Sequence, residues 1–311
     1  MNVLANHLSS YLQLRRQLGF KLINTELFLR NFVRFIKEQH ASFITTKLAF
    51  QWATQPENIR PRQRAVRLGI VRRFAEYVST LDRRTEVPPP KLLQIRYRRP
   101  APYLYRDEEV LKLIKAAGQI GRFNALRRAT YSTLFGLLAV TGMRVGEAIT
   151  LDRADVDLEQ LVLTLRRAKG NKSRLVPLHP STGQALRRYA DIRDKHCPRP
   201  SSATFFVTKK GTALPYSTVN GRFLMLSRRI DLRKSGDPHG ARLHDLRHRF
   251  AIQTMLKWYR TDADVEAHLP ELATYLGHGH VADTYWYLSA APELLRLATV
   301  RWQRSERARG L

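Results

Sequence analysis

A chain of 311 residues is long enough for two domains of ordinary size, and a hydrophobic share of 43% gives each the material for a core. Its 54 Lys and Arg against 26 Asp and Glu leave a formal net charge of +28, an excess best neutralised by a polyanion. The basic residues run along the whole chain and no apolar run reaches the roughly 18–20 residues of a bilayer span, so nucleic acid is favoured over a membrane. The single cysteine, Cys197, excludes an internal disulfide and a cysteine-rich zinc module. With no secretory pattern at the start, the expectation is a cytoplasmic protein.

Residues 1–84 read as a helical domain. Val3, Leu4, Leu8, Tyr11, Leu12 and Leu14 recur at near-helical spacing, and Gly19 suits the stop. Asn24 or Thr25 is expected to cap a second helix whose apolar face includes Leu27, Phe28, Phe32, Phe35 and Ile36. A third helix covers about Thr46–Gln55. A fourth opens at Pro61, tolerated in a first helical turn, and runs to about Thr80. Arg60, Arg62, Arg64 and Arg67 crowd its opening as candidate phosphate contacts. Residues 1–104 hold 19 Lys and Arg against 6 Asp and Glu, as a DNA clamp requires.

Residues 85–104 change character. Pro88, Pro89, Pro90, Pro100 and Pro102 alternate with Arg96, Arg98 and Arg99, which predicts a semi-rigid extended linker able to touch a phosphate backbone. Residues 105–311 then form a second, mainly α domain with a small β-sheet. Asp107 is the expected N-cap of a helix with Val110, Leu111, Leu113 and Ile114 on its buried stripe. Strand-like runs at Leu161–Leu165 and Leu175–Val176 flank a Lys-Gly-Asn-Lys turn, with a further strand expected at Phe205–Val207.

Four short constellations in this second domain carry chemistry. Thr141-Gly142-Met143-Arg144-Val145-Gly146-Glu147 follows an apolar helix. Arg144 offers a planar fork suited to a phosphate, with Glu147 placed to orient it. Ala168-Lys169-Gly170-Asn171-Lys172-Ser173-Arg174 puts lysines at a hairpin tip, where one can touch DNA or protonate a leaving oxygen. His-x-x-Arg occurs three times, but only His244 to Arg247 opens a convincing helix, with both side chains on one face. Finally, Leu276-Gly277-His278 ends a helix, and Tyr287 lies nine residues beyond His278. A tyrosine hydroxyl has a pKa of about 10, so attack on phosphorus needs the cations and the proton acceptor that these motifs supply.

The order of these motifs within about 145 residues resembles the tyrosine recombinase (phage integrase) family. The resemblance covers the whole architecture, a helical core-binding domain, a linker and a catalytic domain. It implies that Arg144 and Arg247 clamp the scissile phosphate, Lys169 rather than Lys172 protonates the 5′ oxygen, and His244 takes the proton of the nucleophile. His278 would hydrogen-bond a nonbridging oxygen, and Tyr287 would form a 3′-phosphotyrosyl link that stores the bond energy, so neither ATP, metal nor any other cofactor is expected. Implied partners are double-stranded DNA, further copies of the chain in a homo- or hetero-tetramer on that DNA, and accessory proteins. The chain departs from the family pattern in having Leu288-Ser289 after the tyrosine and a second tyrosine, Tyr285, two residues before it. The sequence around Tyr287 resembles recombinases of bacterial transposable elements. Leu294, Leu295, Leu297 and Val300 form a stripe expected to dock a C-terminal helix on a neighbouring protomer.

Three other readings start from the same residues. A nonenzymatic DNA-binding regulator on this scaffold would show a damaged catalytic set, whereas all six positions are suitably filled. A type IB topoisomerase-like relaxase shares the chemistry without pairing sites. A metallohydrolase would draw on His239, His244, His248, His278 and His280, but no acidic cluster accompanies them.

Overall fold

The computed structural model describes residues 3–55, 58–93, 101–121, 124–166, 173–234, 236–237 and 240–308. Two compact units divide the chain, Met1–Arg99 and Pro100–Leu311, so the expected linker 85–104 is shared between them. In the first unit, α1 (Val3–Gln17), α2 (Ile23–Glu38), α3 (Thr46–Thr54) and α4 (Pro61–Ser79) enclose one core. Leu8, Leu12, Phe32, Ile36, Trp52, Phe74 and Val78 fill it, as the helical period of the apolar residues demands. α1 stops where Gly19 takes a φ of 85°, and the Thr45 hydroxyl caps α3 by accepting from the Leu48 N–H at 3.2 Å.

Two expectations fail here. Asn24 and Thr25 lie inside the first turn of α2, and its N-cap is Leu22 in a left-handed conformation without a side-chain cap. Leu27 is 68% exposed, because the buried stripe of α2 runs through Leu29, Phe32, Val33, Phe35 and Ile36. The opening of the proline-rich stretch folds back on this unit. The Glu86 N–H donates to the Ile44 carbonyl and its carboxylate accepts from the Thr46 N–H, both at 2.8 Å.

The second unit is helical around a three-stranded antiparallel sheet. In chain order it comprises α5 (Asp107–Ala117), α6 (Ala125–Thr141), α7 (Val145–Ile149), β1 (Val156–Asp157), β2 (Val162–Leu165), β3 (Arg174–Pro177), α8 (Pro180–His196), α9 (Tyr216–Arg229), α10 (Asp245–Arg260), α11 (Val265–Leu276), α12 (Ala282–Ala290) and α13 (Pro292–Ala308). Strand order is β1-β2-β3, with Leu163 opposite Val176 and Leu165 opposite Arg174. β1 has no counterpart in the sequence reading. Phe205–Val207, expected as a strand, is buried but paired only through isolated bridges at Thr204 and Val207. Asp107 is the first helical residue of α5 rather than its cap, and the Glu109 carboxylate closes back on the Arg106 N–H.

Two hydrophobic clusters meet along α10. One holds Leu134, Phe135, Leu163, Tyr189, Phe206, Phe223 and Leu246, the other Met255, Leu269, Leu276, Tyr287 and Leu294. Thus α10 gives its first turn to one cluster and its middle to the other, and the candidate site residues His244, Arg247 and Tyr287 lie at that seam. The stripe expected to dock α13 on a neighbouring protomer is divided. Leu294 is wholly buried in the cluster of its own unit and Leu297 packs beside it, whereas Leu295 is exposed.

Candidate active site

The turn after α6 is built by Gly142, whose φ of 62° is left-handed. A Cβ there would stand 2.5 Å from Cδ1 of Phe250, so glycine is what lets α10 pack this close. The approach brings Arg247, in the first turn of α10, within reach of the turn. Its Nη1 donates to the Gly142 carbonyl at 2.9 Å and its Nη2 to the Leu276 carbonyl at 2.6 Å. Arg144, the N-cap of α7, donates from Nη2 to the Gly277 carbonyl at 2.8 Å. Both guanidinium groups therefore rest on the C-terminal carbonyls of α11, the negative end of its dipole.

Glu147 stands one turn into α7 and is almost fully buried. It accepts from the Arg144 backbone N–H at 2.8 Å and from Arg144 Nη1 at 2.7 Å. Arg174, at the start of β3, holds the same carboxylate with two N–H bonds at 3.0 and 2.8 Å. Burial works against its ionisation, but hydrogen bonds from Arg174 and then Arg144 outweigh it and hold the Glu147 carboxyl below its ordinary range.

Arg247 is 2% exposed. Burial, and then the charge of Arg144, lowers its pKa to about 10, which leaves it protonated at neutral pH. His244, the N-cap of α10, keeps one side open to solvent and stands edge-on to His248 with ring centroids 4.8 Å apart. Burial of its other side, reinforced by Arg247, lowers its pKa to about 4, so its imidazole is neutral and able to accept a proton.

Helix α11 ends at Gly277, left-handed at a φ of 66°, and His278 follows. The His278 Nδ1 and the Thr284 hydroxyl are 2.7 Å apart, a bond that ties this turn to α12. One turn further along α12, Tyr287 is 2% exposed. Its ring stacks near that of His278 at 6.0 Å and lies 5.4 Å from that of His248. Tyr285 is 50% exposed.

The fold thus gathers Arg144, Glu147, His244, Arg247, His278 and Tyr287 from three separate stretches of sequence. Lys169 and Lys172 lie outside the described residues, as do Arg96, Arg98 and Arg99. Of the four arginines at the opening of α4, Arg60 and Arg62 are exposed and Arg64 is half-buried. Arg67 is engaged within its own unit. Its guanidinium stacks 3.8 Å over the Trp52 ring and donates to the Trp52 carbonyl at 2.7 Å. Arg174 and His248 are the members of the cluster to which the sequence reading gave no role in it. Among the described residues, no three His, Cys, Asp or Glu side chains gather as a metal site. No helix described is long and apolar enough to cross a membrane.

Residues 104–293 match the phage integrase family. Over 308 residues the chain is 45% identical to a protein of Sinorhizobium fredii named integrase/recombinase, covering 98% of each. It is 27% identical over 255 residues to the tyrosine recombinase XerC of Chlorobaculum parvum, covering 74% of this chain and 70% of that one. The fold is similar to that of the Tn1549 transposon integrase, solved in complex with transposon right end DNA. The TM-score is 0.65 at 16% identity, covering 98% of this chain and 99% of that one.

Proposed function

This chain belongs to the phage integrase family and is a DNA recombinase, and from that premise we propose that it breaks and rejoins duplex DNA through Tyr287. The observation that carries this reading is the placement of Arg144 and Arg247 on the carbonyls of Gly277 and Leu276, directly before the helix that bears Tyr287. The two guanidinium groups bind the nonbridging oxygens of the scissile phosphate and favour the charge that develops on them. The Tyr287 oxygen attacks phosphorus as its proton passes to the neutral imidazole of His244. The bond from phosphorus to the 5′ oxygen breaks, and Lys169 protonates that oxygen. His278 hydrogen-bonds the phosphate in the transition state. The products are a 3′-phosphotyrosyl link and a free 5′ hydroxyl, and attack by a 5′ hydroxyl from another strand reverses the step.

Tyr287 is almost wholly covered, so engagement of DNA includes a shift of α12 that brings its hydroxyl to the phosphate. Exchange between two duplexes, through a Holliday junction, cuts four strands. With one nucleophile per chain, the working assembly is four chains on two sites. The reaction is placed in the cytoplasm, with transposition as the leading biological use.

A nicked duplex taken from the boundary of the element that carries the gene, incubated with EDTA present, tests the reading. The unaltered chain and Tyr285→Phe should form a covalent protein–DNA adduct on a denaturing gel, and Tyr287→Phe should bind the duplex without forming one. An adduct that survives Tyr287→Phe, or none from a duplex the chain demonstrably binds, would overturn it.

A further inference from the structure

We propose that Arg174 is a positioning residue for strand cleavage: by holding both carboxylate oxygens of Glu147, it keeps Arg144 available to the scissile phosphate. The inference rests on the tyrosine reading above and concerns a residue to which that reading gives no part. All the donors of Arg174 that the geometry resolves face inward. Nε donates to the Tyr275 carbonyl at 2.7 Å, Nη1 to Glu147 Oε1 at 3.0 Å and Nη2 to Glu147 Oε2 at 2.8 Å. The side chains of Arg174 and Glu147 are 10% and 9% exposed, against 24% for Arg144. Arg174 is thus withdrawn from DNA and Arg144 is the one left partly open.

The carboxylate is shared. Its Oε1 accepts from Arg144 Nη1 and Arg174 Nη1, and its Oε2 from the Arg144 backbone N–H and Arg174 Nη2. One negative charge is divided between two guanidinium groups, which leaves Arg144 with attraction to spare for a phosphate. Without Arg174, Glu147 would have Arg144 as its only close cation. The favourable geometry is then a bidentate fork, which draws Arg144 off the Gly277 carbonyl and away from the phosphate. The loop after α11 is shaped around this contact. A Cβ on Gly277 would lie 2.7 Å from Arg174 Nη1, so the glycine before His278 makes room for Arg174 as well as turning the chain. One side chain therefore fastens the base of the β2–β3 hairpin, the first turn of α7 and the end of α11 to each other.

The test is single-turnover adduct formation at saturating DNA by the full chain. The variants are Arg174→Met, Glu147→Gln and the double substitution, each first checked for unchanged DNA affinity and a cooperative melt. Arg174→Met should slow adduct formation by about 10- to 100-fold, as for other residues that orient a reactive ligand. The double variant should match Glu147→Gln alone, because without its charge position 147 no longer captures Arg144. Arg174→Lys keeps the charge but cannot hold two oxygens and a carbonyl with one planar fork, so it should be slow too and serves if Arg174→Met does not fold. A substrate with sulfur at the 5′ bridging position needs no proton donor. It should leave the defect of Arg174→Met in place, since the defect lies in the phosphate clamp.

A normal rate in both Arg174 variants would overturn the proposal. So would losses in Arg174→Met and Glu147→Gln that simply multiply in the double variant. Full rescue by the sulfur substrate would also overturn it, by assigning Arg174 to the hairpin lysine instead. No adduct with the unaltered chain would overturn the tyrosine reading first, and this inference with it.

Discussion

Three arginines meet three consecutive carbonyl oxygens where α11 ends: Arg174 on Tyr275, Arg247 on Leu276 and Arg144 on Gly277. A helix C-terminus carries about half a negative charge in its unpaired carbonyls, so it holds these cations in place before any phosphate arrives. Two of these arginines also act on His244. Burial first, and then the charge of Arg247 and Arg144, lowers its imidazole pKa from 6.5 to about 4. The unfolded ring takes up a proton near its ordinary pKa, whereas the folded ring does so only near the lower value. Between those pH values the unfolded state holds more protons, so stability falls as pH is lowered through that window. Urea titrations should therefore show a greater loss between pH 6.5 and pH 4 in the unaltered chain than in His244→Gln. Equal losses would mean that burial and the neighbouring arginines do not depress the His244 pKa in the folded chain.

At the scale of elements, sequence was most informative where one local rule decided the outcome. The apolar period gave α6 and α10, Gly142 and Gly277 marked helix ends, and Arg247 followed His244 by one helical turn, so the residues that the fold brings together were readable as a set. It was least informative where a distant partner decided. Leu22 starts α2 in a left-handed conformation that no cap residue announces. Arg174 looked like one more hairpin cation, and only its partners on α7 and α11 turn it inward. A signal existed, since Arg174 pairs with the inward-facing Leu165 of β2. The helix α13 shows the same limit. Its apolar stripe suited a neighbouring protomer, yet Leu294 belongs to the core of its own unit beside α10 and α12. Leu294→Ala should accordingly destabilise the isolated chain by about 2–5 kcal/mol, read as a lower melting midpoint. A midpoint within error of the unaltered chain would return Leu294 to the role of an intermolecular contact.

For the molecule as a whole, a net charge of +28 means that binding a duplex releases many condensed counterions. Affinity should then fall by about 10³–10⁵ between 50 and 200 mM salt if six to ten phosphates are neutralised. The same experiment separates arginines that meet DNA from arginines that hold the fold, a distinction charge spacing alone cannot make. Arg62 is exposed on the first turn of α4, and replacing it with Ala should reduce the salt slope by about one. Arg67 is spent on Trp52. Its replacement by Ala should leave the slope untouched and lower stability by about 1–2 kcal/mol, through loss of a cation–π contact and a hydrogen bond. If Arg67→Ala flattens the slope as Arg62→Ala does, its guanidinium leaves Trp52 for a phosphate when DNA binds. The basic opening of α4 would then act as a single phosphate-binding surface rather than as a clamp braced by one of its own arginines.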